Sequence, residues 1–209
     1  FMVAFADVAA QGTTDEQLGQ YYLDTGEYGK ALLYFEKLYD ENPKASNYDG
    51  LLTCYIKLDD YKEAEKLVNK QIKRFKSNTY YIDLGSVYEA QGNESAANSA
   101  YRDAVTNLPE SQGLVIRTAN EFIRRNKLEF ALETYEYGKK ILNGKYPFSY
   151  EIAGLYGSMG DTQRMLREYL DLIDFNEAYL QTVQNTLNRS IDFEDGVEDV
   201  DLLRNELLR

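Results

Sequence analysis

The sequence has no histidine, no tryptophan, one cysteine and three prolines in 209 residues. Without histidine, the side chain that most often serves as general base and metal ligand near neutral pH is missing. A single cysteine, Cys54, leaves no partner for an intrachain disulfide and no thiolate set for zinc. It stands one residue before Tyr55, on a helix face expected to meet a neighbouring helix, so a buried structural thiol is predicted; a reactive thiol is the alternative. No run of eighteen or more apolar residues occurs, so no membrane-spanning helix is expected within the chain. Glycine-rich phosphate loops, nucleophile elbows and zinc spacings are also missing. The acidic run Asp192-Phe193-Glu194-Asp195-Gly196 does not order as a calcium loop. With Gly196 at the turn, the first two ligand places fall on Ile191 and Phe193, which cannot coordinate the ion. It reads as a solvated acidic loop between helices. Carboxylates are abundant elsewhere, but they follow helix surfaces and single out no cleft. No catalytic residue, cofactor or metal is expected, and the chain does not read as an enzyme.

What the sequence has is a period. Ala31, Ala64, Ala97, Ala131 and Met165 recur at intervals of 33, 33, 34 and 34 residues, the length of a helical-hairpin repeat. Nine residues before each stands an aromatic: Tyr22, Tyr55, Tyr88, Phe122 and Tyr156. Five before each comes a turn former (Gly26, Asp59, Gly92, Asn126, Gly160), suited to ending one helix and opening the next. Four after each comes a large apolar residue (Phe35, Val68, Tyr101, Tyr135, Tyr169), one helical turn on and therefore on the same face. Twelve before stands a mostly small residue: Gly19, Leu52, Gly85, Ala119 and Ala153. Pro43 and Pro109 close the first and third units, where a proline stops the second helix. Two antiparallel helices approach closely only where one presents a small side chain. The aromatic of the first helix is expected to fill the space beside it, each fully buried ring contributing on the order of 1.5–3 kcal/mol.

These residues resemble the tetratricopeptide repeat. The third unit (Tyr81, Leu84, Gly85, Tyr88, Gly92, Ala97, Tyr101, Ala104, Pro109) is nearly a full match, and the resemblance covers roughly residues 12–178. Departures are Leu52 in place of a small residue, Thr118 in place of leucine, and Met165 in place of alanine; the last predicts a looser fifth hairpin. The resemblance implies an all-α fold, a right-handed superhelical α-solenoid of about five helix-turn-helix repeats with a degenerate C-terminal hairpin. It also implies a concave surface for a protein or peptide in place of a catalytic pocket.

Three segments are expected. Residues 1–11 form a signal-peptide-like tail or leader: the stretch FMVAFADVAA is apolar, with Val8 and Ala10 placed for cleavage before Gln11. A short helix on the first repeat is the alternative. Residues 12–178 are the solenoid. Residues 179–209 are a degenerate sixth hairpin whose last helix carries apolar residues at Val200, Leu203 and Leu207 and no polar cap, which predicts a continuing chain and offers a surface for homo-oligomer formation. Composition does not shift inside residues 12–178, so they read as one continuous domain.

The net charge of −12 argues against a nucleic-acid partner. The charge is banded: residues 44–78 and 112–145 are net positive between acidic stretches. Lys66, Lys70, Lys73, Arg74 and Lys76 fall on a second helix, toward the outer wall. They read as a solvated face whose lysines near the helix C-terminus complement its dipole, with a partner patch as the alternative.

In the family this chain resembles, the first helix of each pair lines the groove. Carried over residue by residue, that face holds Glu16, Gln20 and Leu23 from the first unit, Asp49, Thr53 and Ile56 from the second, and Ile82, Ser86 and Glu89 from the third. The fourth unit gives Ile116, Arg117, Asn120 and Ile123, and the fifth Tyr150. The surface is acidic toward the N-terminus and aliphatic in the middle, which suits a peptide with apolar side chains and some positive charge. The carboxylate clamp of related co-chaperones is not reproduced: the matching places hold Glu16, Gln20, Gly50, Thr79 and Asp83, which would repel a carboxylate. The expected function is a protein-interaction scaffold, part of an exported, periplasmic bacterial assembly. The alternatives are a cytosolic adaptor or the repeat region of a larger protein with a separate C-terminal activity.

Overall fold

Ala31, Ala64, Ala97 and Ala131 are buried to within a few per cent, as is Met165, and the helices they sit on form in the register that the period sets. In a computed structural model, which describes residues 3–190 and 197–208, the chain is all-α, with twelve α-helices and no strand among the described residues. The helices are α1 (Val3–Asp24), α2 (Tyr28–Glu41), α3 (Ala45–Lys57), α4 (Tyr61–Phe75), α5 (Thr79–Ala90), α6 (Glu94–Thr106), α7 (Gln112–Arg124), α8 (Leu128–Ile141), α9 (Ser149–Ser158), α10 (Thr162–Phe175), α11 (Leu180–Ser190) and α12 (Val197–Leu207). Helix α1 runs through Gln11 without a turn. The acidic loop at 192–196 lies outside the described residues. Where the sequence reads as one continuous domain, the contacts gather into two units, residues 1–101 and 102–209, with the division inside α6.

Each hairpin turn is built the same way. The predicted turn formers Gly26, Asp59, Gly92, Asn126 and Gly160 all take the left-handed conformation, with φ between 56° and 78°. The next residue then donates its backbone N–H to the carbonyl of the first-helix aromatic: Glu27 to Tyr22, Asp60 to Tyr55, Asn93 to Tyr88, Lys127 to Phe122 and Asp161 to Tyr156, all at 2.8–2.9 Å. This six-to-one bond is the mark of a Schellman turn, and it satisfies a carbonyl that the helix end would otherwise leave unpaired. Four residues on, the anchor's N–H bonds back to that donor's carbonyl, starting the second helix in the same place each time. Pro43 follows α2 and Pro109 follows α6, where a missing N–H cannot continue a helix.

Side chains correct one expectation. The deeply buried ring of each hairpin comes from the second helix: Phe35, Tyr101, Tyr135 and Tyr169, with Val68 in the second repeat, are all almost fully enclosed. Of the first-helix aromatics only Phe122 is; Tyr22, Tyr55, Tyr88 and Tyr156 are half-buried. Each of these half-buried rings meets a charged side chain. Tyr55 donates its hydroxyl to Glu36 and Tyr88 donates to Glu65, both at 3.0 Å. Lys30 and Arg164 lie over the Tyr22 and Tyr156 rings. An amphipathic ring with a charged neighbour can sit at the rim of an interface.

In the first unit, small residues receive these rings. A methyl group placed on Gly85 would overlap the Tyr101 ring, and one on Gly50 would overlap Phe35. Repeat two exchanges the sizes: Leu52 stands where Gly85 does and Val68 where Tyr101 does, and both join one buried cluster. Cys54 is fully buried in that cluster, as predicted. Burial, with a smaller contribution from Glu36, pushes its thiol up to about 11.

In the second unit the fifth hairpin does not loosen as Met165 predicted. Its sulfur lies 3.1 Å from where a Cβ on Gly157 would be, so the large anchor is matched by a glycine on the facing helix. Met165, Leu166, Tyr169 and Leu172 of α10 form a core with Val183 and Leu187 of α11, and Leu202 and Leu203 of α12 cover it. The buried Glu206 carboxylate ties α12 to α10, accepting two bonds from Arg167 and one from Gln163. Leu207 is exposed, and Leu202, Leu203 and Glu206 form the face of α12 that meets this core.

Candidate protein-binding surface

The first helices α1, α3 and α5 supply the candidate face of the first unit. Its outer positions are polar. Glu16 pairs with Lys44 at 2.5 Å, and Gln20 donates to Asp24 at 2.7 Å. Asp49 is exposed, and Thr53 turns its hydroxyl back to the Asp49 carbonyl at 2.7 Å. Ser86 bonds the Ile82 carbonyl at 3.1 Å, and the exposed Glu89 accepts from the Tyr101 hydroxyl at 2.8 Å. Leu23 and Ile56 are half-buried and pack against the core.

Ile82 does not belong to this surface. It is fully buried. Asp83, one residue on, is also buried and accepts a 2.8 Å bond from the Tyr48 hydroxyl of α3. Burial first, and then the adjacent carboxylate, raises the Tyr48 hydroxyl far above the ordinary phenol range. The pair is therefore a neutral phenol donating to a carboxylate, a polar pin between successive first helices. The sequence signal was only a tyrosine and an aspartate at neighbouring offsets in successive repeats.

In the second unit the same face of α7 and α9 is more open. Arg117, Asn120, Ile123 and Tyr150 are exposed, while Ile116 is half-buried. The Tyr150 ring lies 6.1 Å from that of Tyr169. Arg117 and Asn120 make no ion pair or side-chain hydrogen bond with the described residues, so their polar groups are available to a partner. The aliphatic stretch expected in the middle is thus reduced to Ile123, with Ile116 partly covered.

Among the described residues, no group of three or more His, Cys, Asp or Glu side chains is placed to hold a metal ion. None of these helices is long and apolar enough to cross a membrane.

Residues 22–86 match the family model for the tetratricopeptide repeat, from the first half-buried aromatic to the glycine under Tyr101 and one residue beyond. That stretch is similar to the tetratricopeptide repeat. It is 22% identical over 193 residues to a TPR repeat-containing protein of Methanocaldococcus jannaschii, covering 89% of this chain and 34% of that protein. It therefore spans about a third of the length of that curated relative. Among solved structures it is similar to a thermophilic TPR protein of Thermus thermophilus (19% identity, 86% of this chain and 98% of that one, TM-score 0.39). It is also similar to the MamA protein (16% identity, 81% and 94%, TM-score 0.39). A third likeness is to the TPR2AB domain of yeast Sti1 in complex with pHSP90 (11% identity, 95% and 91%, TM-score 0.41). At these identities and scores the likenesses say nothing of what this chain binds. The matched stretch contains the anchors Ala31 and Ala64 and the turns at Gly26 and Asp59.

Proposed function

We propose that the chain is a non-catalytic protein-interaction module whose first-helix face holds a peptide or a segment of a partner protein. The observation that carries this is the second unit's exposed set, Arg117, Asn120, Ile123 and Tyr150, which combines unpaired hydrogen-bonding groups with apolar surface on consecutive first helices. Such a mixture contributes little to folding and suits an extended or helical segment. The test is capture from the native host with the wild-type protein and with the triple variant Arg117→Glu, Ile123→Glu, Tyr150→Ala. Unchanged helicity with loss of the captured protein is the expected result; identical capture by both overturns the assignment.

Export belongs to the same reading and rests on the apolar, small-residue-ended composition of residues 1–10. It is tested by N-terminal sequencing of the protein from its host. A mature chain beginning at Gln11 supports export, and an intact upstream sequence in the cytosol overturns it.

A further inference from the structure

Helix α4 carries a second, chemically different surface on the side away from the core. Lys62, Lys66, Lys70, Lys73 and Arg74 are all exposed there. Their spacing keeps them close to one face, and at 1.5 Å per residue they extend over about 18 Å. An open cleft of about 890 Å³ follows the same side chains, with Glu65 and Asn69 also in its lining. The dipole accounts for Lys73 and Arg74 near the helix C-terminus, but not for Lys62 and Lys66 near its start.

Internal pairing leaves most of this charge unmatched. Lys66 pairs with Glu63 on its own helix, whereas Lys62, Lys70, Lys73 and Arg74 form no ion pair with the described residues. Two of them lie over aromatic rings instead: Lys70 Nζ is 5.5 Å from the Tyr39 centroid, and the Arg74 guanidinium 4.9 Å from that of Phe75. Phe75, the last residue of the helix, is itself 50% exposed. A row of cations thus ends at an apolar ring.

We propose that this outer face of α4 docks an acidic peptide segment of a partner protein, with an apolar side chain of that segment seated against Phe75. The site is separate from the first-helix face and does not depend on it. Its surroundings favour a short segment over an extended polyanion. A second cleft, of about 440 Å³, begins at Lys66 and Lys70 and is rimmed by Glu36, Asp40 and Glu63. A bilayer surface or a phosphate backbone reaching past α4 meets those carboxylates within a screening length of about 10 Å. A short peptide lying along the helix meets Glu63 and Glu65 only at its Lys66 end, and has Lys70, Lys73 and Arg74 beyond them. Four of the five cations are lysines, compact charges without the planar fork that arginine offers to phosphate.

The probes are fluorescein-labelled ten-residue peptides: one of glutamate with a leucine near its end, one of glutamate alone, and one of lysine with the same leucine. Fluorescence anisotropy with the full chain is expected to show the order glutamate-leucine, glutamate, lysine, with binding lost between about 50 and about 500 mM salt. The variant Lys62→Gln, Lys70→Gln, Lys73→Gln should weaken both acidic peptides by roughly tenfold, three exposed charge contacts acting together. Phe75→Ala should weaken the leucine-bearing peptide and leave the all-glutamate peptide unchanged. Circular dichroism checks that each variant keeps its helicity. The proposal is overturned by equal binding to the triple variant or by no acidic-peptide binding at low salt. It is also overturned by tighter binding to phosphatidylserine vesicles or single-stranded DNA than to the peptide. A salt-sensitive dimer in sedimentation that the triple variant abolishes would reassign the face to a second copy of this chain.

Discussion

The ring of Tyr101 occupies the space that the side chain of residue 85 would fill, and Gly85 leaves it empty. The two lie on α6 and α5, and their contact sets how closely that hairpin closes. Gly85→Ala forces the ring or a helix to move, and is expected to destabilise by about 1–3 kcal/mol. Repeat two carries the same contact with the sizes exchanged, as Leu52 and Val68. Tyr101→Val should therefore recover part of the loss when combined with Gly85→Ala. A double-mutant cycle in urea measures this; purely additive effects would show that the two positions do not share one space.

Tyr101 and Tyr88 belong to the same hairpin but differ in depth. Tyr101→Ala removes a ring that is 2% exposed and should cost about 3–5 kcal/mol. Tyr88→Ala removes a half-buried ring with a surface hydrogen bond to Glu65, and should cost about 1–2 kcal/mol on the same area argument. Denaturant midpoints of the two variants give the order, and the reverse order would place the first-helix aromatic in the core after all.

Two turn formers are not glycine. Asn126 holds φ at 56°, a conformation glycine adopts without a Cβ penalty, so Asn126→Gly should stabilise by about 0.5 kcal/mol. Gly92→Ala, at φ 78°, should destabilise by about 1–2 kcal/mol. Thermal melts of the pair should shift in opposite directions.

Cys54 should resist modification. It is fully buried with its thiol raised to about 11, so the thiolate that reacts is scarce and enclosed at neutral pH. A thiol-reactive chromophore should label the native chain only on unfolding, with one equivalent in denaturant. Rapid native labelling would contradict the packing around α3.

Glu121 gives a pH signature. Burial raises its carboxyl, but hydrogen bonds from Arg124 and Arg125 outweigh that and hold it below the ordinary 4.5. A lowered native value means that its contribution is fully present above 4.5 and is lost as pH falls through that lower value. Solvent around Arg124 screens the cluster, so the contribution is about 1 kcal/mol or less. Compared with Glu121→Gln, wild type should be more stable at neutral pH, and the gap should close below pH 4.5.

The parts of this molecule written in the sequence are those that recur under a backbone constraint. Five turn formers stand where the chain must take positive φ, and five anchors stand where helices touch, so their spacing was enough to place them. Which aromatic is enclosed was not legible. Tyr88 and Tyr101 are the same residue type at helical positions, and both hydroxyls reach a carboxylate, yet one ring is half-buried and the other enclosed. Ile82 shows the same limit on the candidate surface. An isoleucine at a groove offset reads as groove, yet it is fully buried. Met165 departed from the alanine of the other four anchors, and its compensation, Gly157, sits on the other helix at the offset that Leu23, Ile56, Glu89 and Ile123 hold, which reads as groove. The α4 cations were legible as a charged face, while Phe75 and the carboxylates beside them needed three dimensions.

The six-to-one bond that closes every hairpin runs from backbone to backbone, with no side chain taking part. Joining the helices is thereby separated from what their surfaces display. A unit can be duplicated, lost or exchanged between equivalent turns without a new junction having to arise. The residues that face a partner, such as Asn120 or Lys70, can diverge one at a time while the scaffold beneath them stays the same. Such a chain can acquire a new partner by changing its surface alone.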